Sequence, residues 1–459
     1  MPTERIGLGT STPTAVSGVL NPPQTHRLEA VRPRVRRLPV EQVIAVAAWV
    51  LVVVNVQPWV GPPTGPQGSA AGESSTSKGV LMAAVFMVAV VLAAPHFSAR
   101  LPATYLFYFG YLFLGVATAF HLSDPVPPLL RVGRLGLAIA IPLLLWRWLG
   151  SRSLLFLSAH RTAHLLIGLV VLAGIAAAPG SAWHGGSFGA GGRLQGVFLP
   201  LLPPRVGEIG AILVGLTVTA LIFRKVRGLA ATIFIGLGLV LVILSRTRTA
   251  AAGLFVGLIV AFCLTRRYRL GRRAFRTLLF LLLFAIPLLA PIQAWVVRGQ
   301  DTEQLSSFTG RTLAWSAVVE QQASWRTVVL GHGLGNKAIM LRRGEGDLNV
   351  MAIDNGWLTL FWETGLFGVG LVLSAVVAAV VGVLRAPTPY VRAATGFLVT
   401  YVAIASFTET GLSDLSSLTL HILVAAGAAY ADRLSVRRER PMLPRPRRIR
   451  PQSASFART

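Results

Sequence analysis

The feature that most constrains this chain is a succession of long apolar blocks, separated by polar connections. Most blocks are roughly 17–22 residues long, the length at which a helix crosses the hydrocarbon core of a bilayer. Within lipid only helices and closed barrels satisfy every backbone hydrogen bond, and these blocks lack the apolar–polar alternation of barrel strands. We therefore predict an all-α polytopic membrane protein with about 12 transmembrane helices. The predicted spans are residues 42–59, 79–95, 101–120, 132–149, 163–178, 208–223, 229–244, 249–265, 277–295, 365–384, 393–410 and 414–431.

Composition excludes a soluble globular protein. Of the 459 residues, 53% are hydrophobic and only 13% are charged, about half the charged share of an average soluble domain. A formal net charge of +26 is typical of nucleic-acid binding. Here, however, the arginines lie in the two tails and in alternate connections, as the positive-inside rule expects of a membrane protein. We therefore predict the lipid bilayer as the surroundings and no nucleic acid as a partner.

The same charge pattern sets the predicted domain organisation. Residues 1–40 and 433–459 are predicted to be disordered, basic cytoplasmic tails, and residues 41–432 to be the transmembrane domain. An even number of crossings returns both termini to the cytoplasm of a multi-pass inner-membrane protein. Two long connections then face outward, residues 179–207 and residues 296–353, the second of them between the ninth and tenth spans.

Several arginines lie in the predicted outer connections, where the positive-inside rule disfavours them. Arg193 is in the first long loop, Arg246 and Arg248 are in the tight turn 245–249, and Arg311 is in the second long loop. Headgroup snorkelling or surface ion pairs could explain such residues, although an ionisable residue at a tight turn favours a function for Arg248. A guanidinium group stays charged and binds phosphate through parallel hydrogen bonds. The pattern therefore indicates an anionic lipid headgroup, such as a pyrophosphate, as the ligand.

Further candidate residues lie in and beside the second long loop. Asp354 and Asn355 stand where this loop re-enters the membrane, so Asp354 is either a helix N-cap or a general base. His332 lies in the glycine-rich turn 331–335, where a lone histidine is more often structural. The loop also predicts a short helix over roughly 311–323. No spacing of histidine, cysteine and aspartate indicates a metal site, and no nucleotide-binding motif or nucleophile elbow is found.

Three stretches of the sequence resemble a known family. Residues 192–196 read Gly-Arg-Leu-Gln-Gly, and residues 245–250 read Ser-Arg-Thr-Arg-Thr-Ala. The third stretch begins at Arg311, passes through the glycine-rich turn and ends at Asp354 and Asn355, before a Gly-x-x-Gly pattern. Together, in this order and at predicted outer positions, these stretches resemble the O-antigen ligase and O-antigen polymerase superfamily.

The resemblance implies a membrane-embedded glycosyltransferase of the C type that needs no metal and no cofactor. Its donor would be a glycan on a polyprenyl pyrophosphate, and its acceptor a hydroxyl group of another lipid-linked glycan or of a glycolipid. Arg193 and Arg248 would hold the pyrophosphate, with Arg246 as the alternative in the same turn. Asp354 would take the proton from the acceptor, which makes Asp354 and Arg248 the predicted catalytic residues. The other predicted substrate-binding residues are Arg311, His332 and Asn355.

Ligases of this family carry a histidine at the position of Asp354, so we predict polymerisation of polysaccharide repeat units, with ligation to a lipid or other surface acceptor as the alternative. A transporter or flippase of the same lipid-linked glycan is the alternative from another class. Transporters place ionisable residues near the bilayer midplane. The middle positions of these apolar blocks are nearly free of charge, which favours the enzyme.

Overall fold

Helices account for most of the structure. A computed structural model of the protein describes residues 40–57, 76–94, 101–149, 153–185, 192–199, 201–284, 311–335, 338–342, 348–413 and 415–439. The predicted N-terminal tail, apart from Val40, and the second half of the predicted ninth span lie outside these residues. The described helices are α1 (Val40–Val56), α2 (Thr76–Ala93), α3 (Ala103–Ala119), α4 (Val126–Leu149), α5 (Ser153–Ala177), α6 (Pro203–Ile222), α7 (Gly228–Ser245), α8 (Arg248–Thr265), α9 (Arg269–Phe284), α10 (Arg311–Glu320), α11 (Trp325–Leu330), α12 (Gly356–Leu384), α13 (Pro389–Ala405) and α14 (Ser417–Glu439).

The apolar helices confirm a membrane fold. Among the described residues, six helices are long and apolar enough to cross a membrane, namely α4, α5, α6, α7, α8 and α12. Four shorter apolar helices, α1, α2, α3 and α13, match further predicted spans. Helix α14 covers the last predicted span and continues to Glu439, into the segment 433–459 that the sequence predicts to be disordered. The full number of spans stays a prediction.

Two small β-hairpins modify the all-α prediction. Strand β1 (Trp183–His184) pairs with β2 (Arg193–Leu194), and β3 (Ala338–Arg342) pairs with β4 (Leu348–Ala352), both antiparallel. Each hairpin lies in one of the two predicted outer loops. A hairpin pairs its backbone groups locally, which a loop outside the hydrocarbon core can do without a larger sheet. The fold is therefore mostly helical, with short strands that order the long loops.

A second, smaller apolar core orders the loop before α12. Ala314 and Val318 of α10 are fully buried against Ile339 of β3, Ile353 and Trp362. The predicted short helix is thus confirmed as α10, although it ends at Glu320. This core fixes the start of α10 beside the start of α12, which brings Arg311 and Asp354 together.

Helix α12 starts nine positions before the predicted span and bends at Gly365, where φ is 61° and ψ is −163°. A Cβ atom at Gly365 would lie 2.3 Å from the carbonyl carbon of Val329 in α11. Gly331, just after α11, also has positive φ and packs against the backbone of Glu363 and Thr364. Because only glycine tolerates both the conformation and the close approach, these two residues interlock α11 with the bend of α12.

Candidate active site

Arg193 is held by the turn between α7 and α8. Its Nε donates to the carbonyl oxygen of Ser245 at 3.1 Å, and its Nη2 donates to Thr247 Oγ1 at 3.3 Å. Thr247 Oγ1 in turn donates to the carbonyl oxygen of Pro203 at 3.1 Å. The first long loop, the α7–α8 turn and the start of α6 are therefore joined through hydrogen bonds, and they fix the direction of the Arg193 guanidinium group.

The two arginines of this turn have different positions. Arg246 is the C-cap of α7 in the left-handed conformation, with φ of 50°, which satisfies the end of the helix. Arg248 is the first residue of α8 and is half-buried. Arg193 lies close enough to interact electrostatically with Arg248, and also with Arg311 and Glu409. Three predicted site residues from distant segments, Arg193, Arg248 and Arg311, thus share one neighbourhood.

Burial lowers the pKa of Arg193, while Glu409 raises it and the two neighbouring arginines lower it. Guanidinium groups remain protonated at neutral pH even after such shifts. Among the groups that act on Arg193, two arginines oppose a single carboxylate. The cluster therefore carries excess positive charge. An anionic ligand would relieve that repulsion.

Asp354 forms an ion pair with Arg311, with Arg311 Nε 3.3 Å from Asp354 Oδ2. The side chains are 31% and 46% exposed, so the carboxylate remains accessible to a ligand. The alternative that Asp354 caps α12 is wrong, because Asn355 is the N-cap residue. Asp354 precedes the cap and faces α10, which leaves its carboxylate available for chemistry.

Asn355 and His332 have structural contacts. Asn355 Oδ1 accepts hydrogen bonds from the backbone N–H groups of Trp357 and Leu358, both at 3.0 Å, and the residue is only 7% exposed. The ring of His332 stacks on Trp362, with centroids 3.7 Å apart. These contacts explain both residues as supports of the loop and of α12. Their predicted substrate contacts stay predictions.

Glu409 is a site residue that the sequence reasoning missed. Residue 409 falls inside the predicted span 393–410, but α13 ends at Ala405 and leaves Glu409 in the connection to α14. Its carboxylate interacts electrostatically with Arg205, Arg311 and Asp354. Burial raises the pKa of Glu409 to about 7, although Arg205 and Arg311 lower it. A charged residue near the end of an apolar block was the only sequence signal for this carboxylate.

The connection that carries Glu409 touches the other parts of the site. The Gly356 backbone N–H donates to the carbonyl oxygen of Ser406 at 2.8 Å, beside Asp354 and Asn355. The hydroxyl groups of Thr408 and Thr249, from α8, are 2.6 Å apart. The connection therefore joins the start of α8 to the start of α12.

Arg205 lies beneath this connection in α6. It forms an ion pair with Glu208, with Arg205 Nη1 2.6 Å from Glu208 Oε2, and it donates to the carbonyl oxygen of Thr410 at 3.3 Å and to Ser417 Oγ at 2.8 Å. Both side chains are nearly buried, so the pair is supported by the further hydrogen bonds that a buried pair requires. Arg205 thus fixes the segment next to Glu409.

A chain of buried hydrogen bonds continues from Glu208 into the helix bundle. His421 Nε2 lies 3.0 Å from Glu208 Oε1, His160 Nε2 lies 2.9 Å from His421 Nδ1, and Trp49 Nε1 lies 3.2 Å from His160 Nδ1. An indole N–H can only donate. His160 therefore accepts at Nδ1 and donates from Nε2 to His421, which in turn donates from Nε2 to the Glu208 carboxylate.

Among the described residues, three histidines that are distant in sequence form a buried cluster, which the sequence analysis did not predict. The ligand atoms of His160, His164 and His421 lie within 4.8 Å of one another, which is a spacing compatible with a metal ion. The hydrogen-bond directions oppose that role, since Trp49 donates to His160 Nδ1 and a proton must then occupy His160 Nε2. A metal ligand needs a free lone pair at that nitrogen. The cluster fits a hydrogen-bonded support better than a metal site.

Fold and site together define a helical membrane protein that gathers arginines and carboxylates from distant segments into one cluster. Residues 231–373 match the model of the O-antigen ligase family. The match includes Arg248, Arg311, His332 and Asp354, and it confirms the predicted resemblance to the O-antigen ligase superfamily over this part of the chain. It supports an inner-membrane glycan ligase or polymerase in general. A comparison with curated proteins finds no match.

Proposed function

We propose that this protein transfers a glycan from a polyprenyl pyrophosphate to a hydroxyl acceptor at the outer face of the inner membrane, and that it polymerises the repeat units of a surface polysaccharide. The observation that carries this proposal is the convergence of Arg193, Arg248 and Arg311 on the carboxylates Asp354 and Glu409. Clustered guanidinium groups beside an accessible carboxylate supply an anion site and a proton acceptor.

Arg193 and Arg248 bind the pyrophosphate of the donor. Hydrogen bonds to the α7–α8 turn hold Arg193 before the donor arrives, so little reorganisation is needed when charge develops. The bond between the sugar anomeric carbon and the pyrophosphate oxygen breaks, and the leaving pyrophosphate gains negative charge. Preorganised positive groups stabilise that charge most strongly in the transition state. The arginines thereby supply the positive charge that metal ions supply in other transferases.

Asp354 accepts the proton of the acceptor hydroxyl while its oxygen forms the new bond to the anomeric carbon. Its side chain is 46% exposed, and the ion pair with Arg311 orients it from α10. A positioned carboxylate acting as a general base contributes about 10²–10⁴-fold to a rate. Arg311 pairs with this carboxylate and also interacts with Arg193, so the proposed base is linked through Arg311 to the arginine that would hold the donor.

A ligase is the second candidate, and the description of the matching family as O-antigen ligase favours it. The substitution of aspartate for the histidine of related ligases favours the polymerase. Loss of activity leaves a different lipid-linked glycan for each of the two candidate functions. A polymerase defect leaves single repeat units, whereas a ligase defect leaves long lipid-linked chains.

Mass spectrometry of lipid-linked glycans from cells carrying Arg248→Ala or Asp354→Ala tests the proposal. We expect single repeat units to accumulate and long chains to disappear. Accumulation of long lipid-linked chains would instead establish the ligase. Arg326→Ala is the matched control, because Arg326 is an exposed arginine of α11 in the same predicted outer loop. A wild-type profile in well-expressed Arg248→Ala and Asp354→Ala cells would refute the site assignment.

A further inference from the structure

Four exposed arginines form a stripe along the first two turns of α9, far from the candidate active site in the chain. The arginine stripe consists of Arg269, Arg272, Arg273 and Arg276. These positions recur at the i, i+3, i+4 and i+7 spacing, which places their side chains on one face of a helix. Gly271, by contrast, is buried. The start of α9 therefore presents one continuous cationic face over about 10 Å of helix.

The corner between α8 and α9 fixes the direction of this face. The backbone N–H of Tyr268 donates to the carbonyl oxygen of Thr265, and that of Arg272 donates to the carbonyl oxygen of Tyr268, both at 2.9 Å. A Cβ atom at Gly271 would collide with the carbonyl oxygen of Thr265, so α9 approaches the end of α8 more closely than a side chain would allow. The guanidinium group of Arg392 in α13 lies 6.0 Å from the centre of the Tyr268 ring. Packed in this way against α8 and α13, α9 keeps the arginine stripe exposed.

The arginine stripe has no carboxylates to balance it. The sequence contains no aspartate or glutamate between Glu208 and Asp301. Among the described side chains at the predicted inner ends of the helices, Asp432 is the carboxylate, and it is 3% exposed. It accepts hydrogen bonds from the backbone N–H and the hydroxyl group of Thr388. Within the part of the chain that the structure describes, no carboxylate forms an ion pair with the arginine stripe.

Two physical effects make the arginine stripe unfavourable without a ligand. Like charges at the i, i+3 and i, i+4 spacing repel one another and destabilise a helix. The arginine stripe also lies in the first two turns of α9, and the helix macrodipole disfavours cations at the N-terminal end of a helix. A ligand that brings negative charge to this face would offset both effects.

The position of the arginine stripe in the chain indicates the kind of ligand. Helix α8 is apolar enough to cross a membrane and ends at Thr265, and α9 itself becomes apolar in sequence from Leu278 onward. The arginine stripe lies between these two apolar segments, which places it near the depth of the lipid headgroups. Guanidinium groups bind phosphate through parallel hydrogen bonds. Phospholipid headgroups supply phosphate at this depth, and those of anionic lipids supply net negative charge as well.

We propose that the arginine stripe binds the headgroup phosphates of anionic phospholipids in the predicted inner leaflet. This site is separate from the candidate active site, and it does not depend on the proposed glycan transfer. The positive-inside rule accounts for cations on the predicted inner side, but it does not require four of them to align on one helix face. A lipid site therefore differs from general positive charge in one measurable way: the aligned arginines bind more strongly than equally exposed cations nearby.

Native mass spectrometry of the full-length protein in detergent, titrated with phosphatidylglycerol or phosphatidylcholine, tests the proposal. The wild-type protein should bind phosphatidylglycerol at least about tenfold more tightly. Replacing Arg272, Arg273 and Arg276 together with glutamine should lower the affinity for phosphatidylglycerol by at least about tenfold, since each cation near an anionic lipid surface contributes to binding. The affinity for phosphatidylcholine should stay within about twofold. Equal wild-type affinities for the two lipids would overturn the proposal.

The turn between α6 and α7 provides the matched control. Arg224, Lys225 and Arg227 are also exposed cations on the predicted inner side, so replacing all three with glutamine removes the same charge. This variant should lose less than about threefold in affinity for phosphatidylglycerol. Equal losses in the two triple variants would assign binding to overall charge and overturn the proposal. If a triple variant fails to insert, Arg273→Gln and Lys225→Gln make the same comparison, with expected losses of about fivefold and less than twofold.

Soluble anions separate a lipid site from a site for a soluble partner. Glycerophosphoglycerol carries the headgroup phosphate of phosphatidylglycerol without the acyl chains, and it should not displace the lipid at equal concentration. A short polyglutamate peptide should also leave the lipid bound. Displacement by glycerophosphoglycerol would indicate a general phosphate site, and displacement by the peptide would indicate an acidic protein partner. Either result would overturn the proposal.

Discussion

At the scale of single residues, the geometry of Arg193 matters as much as its charge. Lysine would keep the charge but cannot reproduce the two hydrogen bonds that Nε and Nη2 make with Ser245 and Thr247. Each hydrogen bond made by a charged group contributes about 1.5–3 kcal/mol. Without these two bonds, the lysine ammonium group would not be held where the pyrophosphate of the glycan donor binds.

We expect Arg193→Lys to lower kcat/KM for glycan transfer by at least about tenfold, since 1.4 kcal/mol corresponds to a factor of ten. Initial rates with purified protein and a defined donor lipid measure the effect. Arg326→Lys, at an exposed position of α11, should stay within about twofold of wild type. Full activity of Arg193→Lys would mean that charge alone suffices and that the bonds to the turn have no catalytic part.

Glu409 predicts a pH dependence of donor binding. Burial raises the pKa of Glu409 to about 7, so the carboxyl group is mostly neutral at pH 6 and mostly ionised at pH 8. The ionised form competes with the pyrophosphate for the positive charge of Arg205 and Arg311. Donor affinity should therefore fall by about threefold to tenfold as the pH rises through 7.

The affinity of Glu409→Gln for the donor should show little change over the same pH range, because glutamine stays neutral. Equilibrium binding of a fluorescent donor lipid between pH 6 and pH 8 provides the measurement. Glu320→Gln is the control, since Glu320 is an exposed carboxylate at the end of α10. A slope that persists unchanged in Glu409→Gln would assign the titration to another group.

At the scale of secondary-structure elements, the bend of α12 depends on Gly365. A side chain there would combine an unfavourable backbone conformation with a contact of 2.3 Å to the backbone of Val329. Gly365→Ala should destabilise the protein by about 2 kcal/mol or more and separate α11 from α12. The midpoint of thermal unfolding in detergent should fall accordingly.

Gly370 provides a control for Gly365 in the same helix. A Cβ atom at Gly370 would meet nothing within 4 Å, and alanine is favoured over glycine inside helices by roughly 0.5–1 kcal/mol. Gly370→Ala should therefore leave the midpoint unchanged or raise it. If both variants had equal stability, the interlock between α11 and α12 would not contribute to folding.

At the scale of the whole molecule, the predicted orientation of the chain in the membrane can be tested with single cysteines. Cys263 is the single cysteine, so Cys263→Ala gives a background for introducing one cysteine at a time. Ala323→Cys lies in the predicted outer loop, and Lys225→Cys lies in a predicted inner connection; both positions are exposed. A membrane-impermeant maleimide should label Ala323→Cys in intact spheroplasts at least about tenfold faster than Lys225→Cys, because the bilayer excludes charged reagents. Permeabilisation should equalise the rates. The reverse pattern would invert the proposed topology.

Apolar block length predicts most of the described membrane helices, because the bilayer imposes that length on any sequence. The arginines at predicted outer positions identify part of the site, because the positive-inside rule disfavours arginine there. The hairpins and Glu409 depend on tertiary contacts, such as those of residues 406–410 with Gly356 and Arg205. The histidine chain joins residues as distant in sequence as Trp49 and His421. No local pattern encodes such a contact.

The hydrogen-bond chain from Trp49 to Glu208 also bears on biogenesis. Trp49, His160 and Glu208 belong to α1, α5 and α6 and enter the membrane well before His421, which arrives with α14. During that interval His160 lacks its acceptor and Glu208 lacks one of its donors, which is unfavourable in lipid. Insertion of α14 brings His421, which accepts the hydrogen bond from His160 and donates one to Glu208. Translation products that stop before α14 should therefore retain an unsatisfied polar interior, which marks them for proteolytic quality control while the finished chain escapes it.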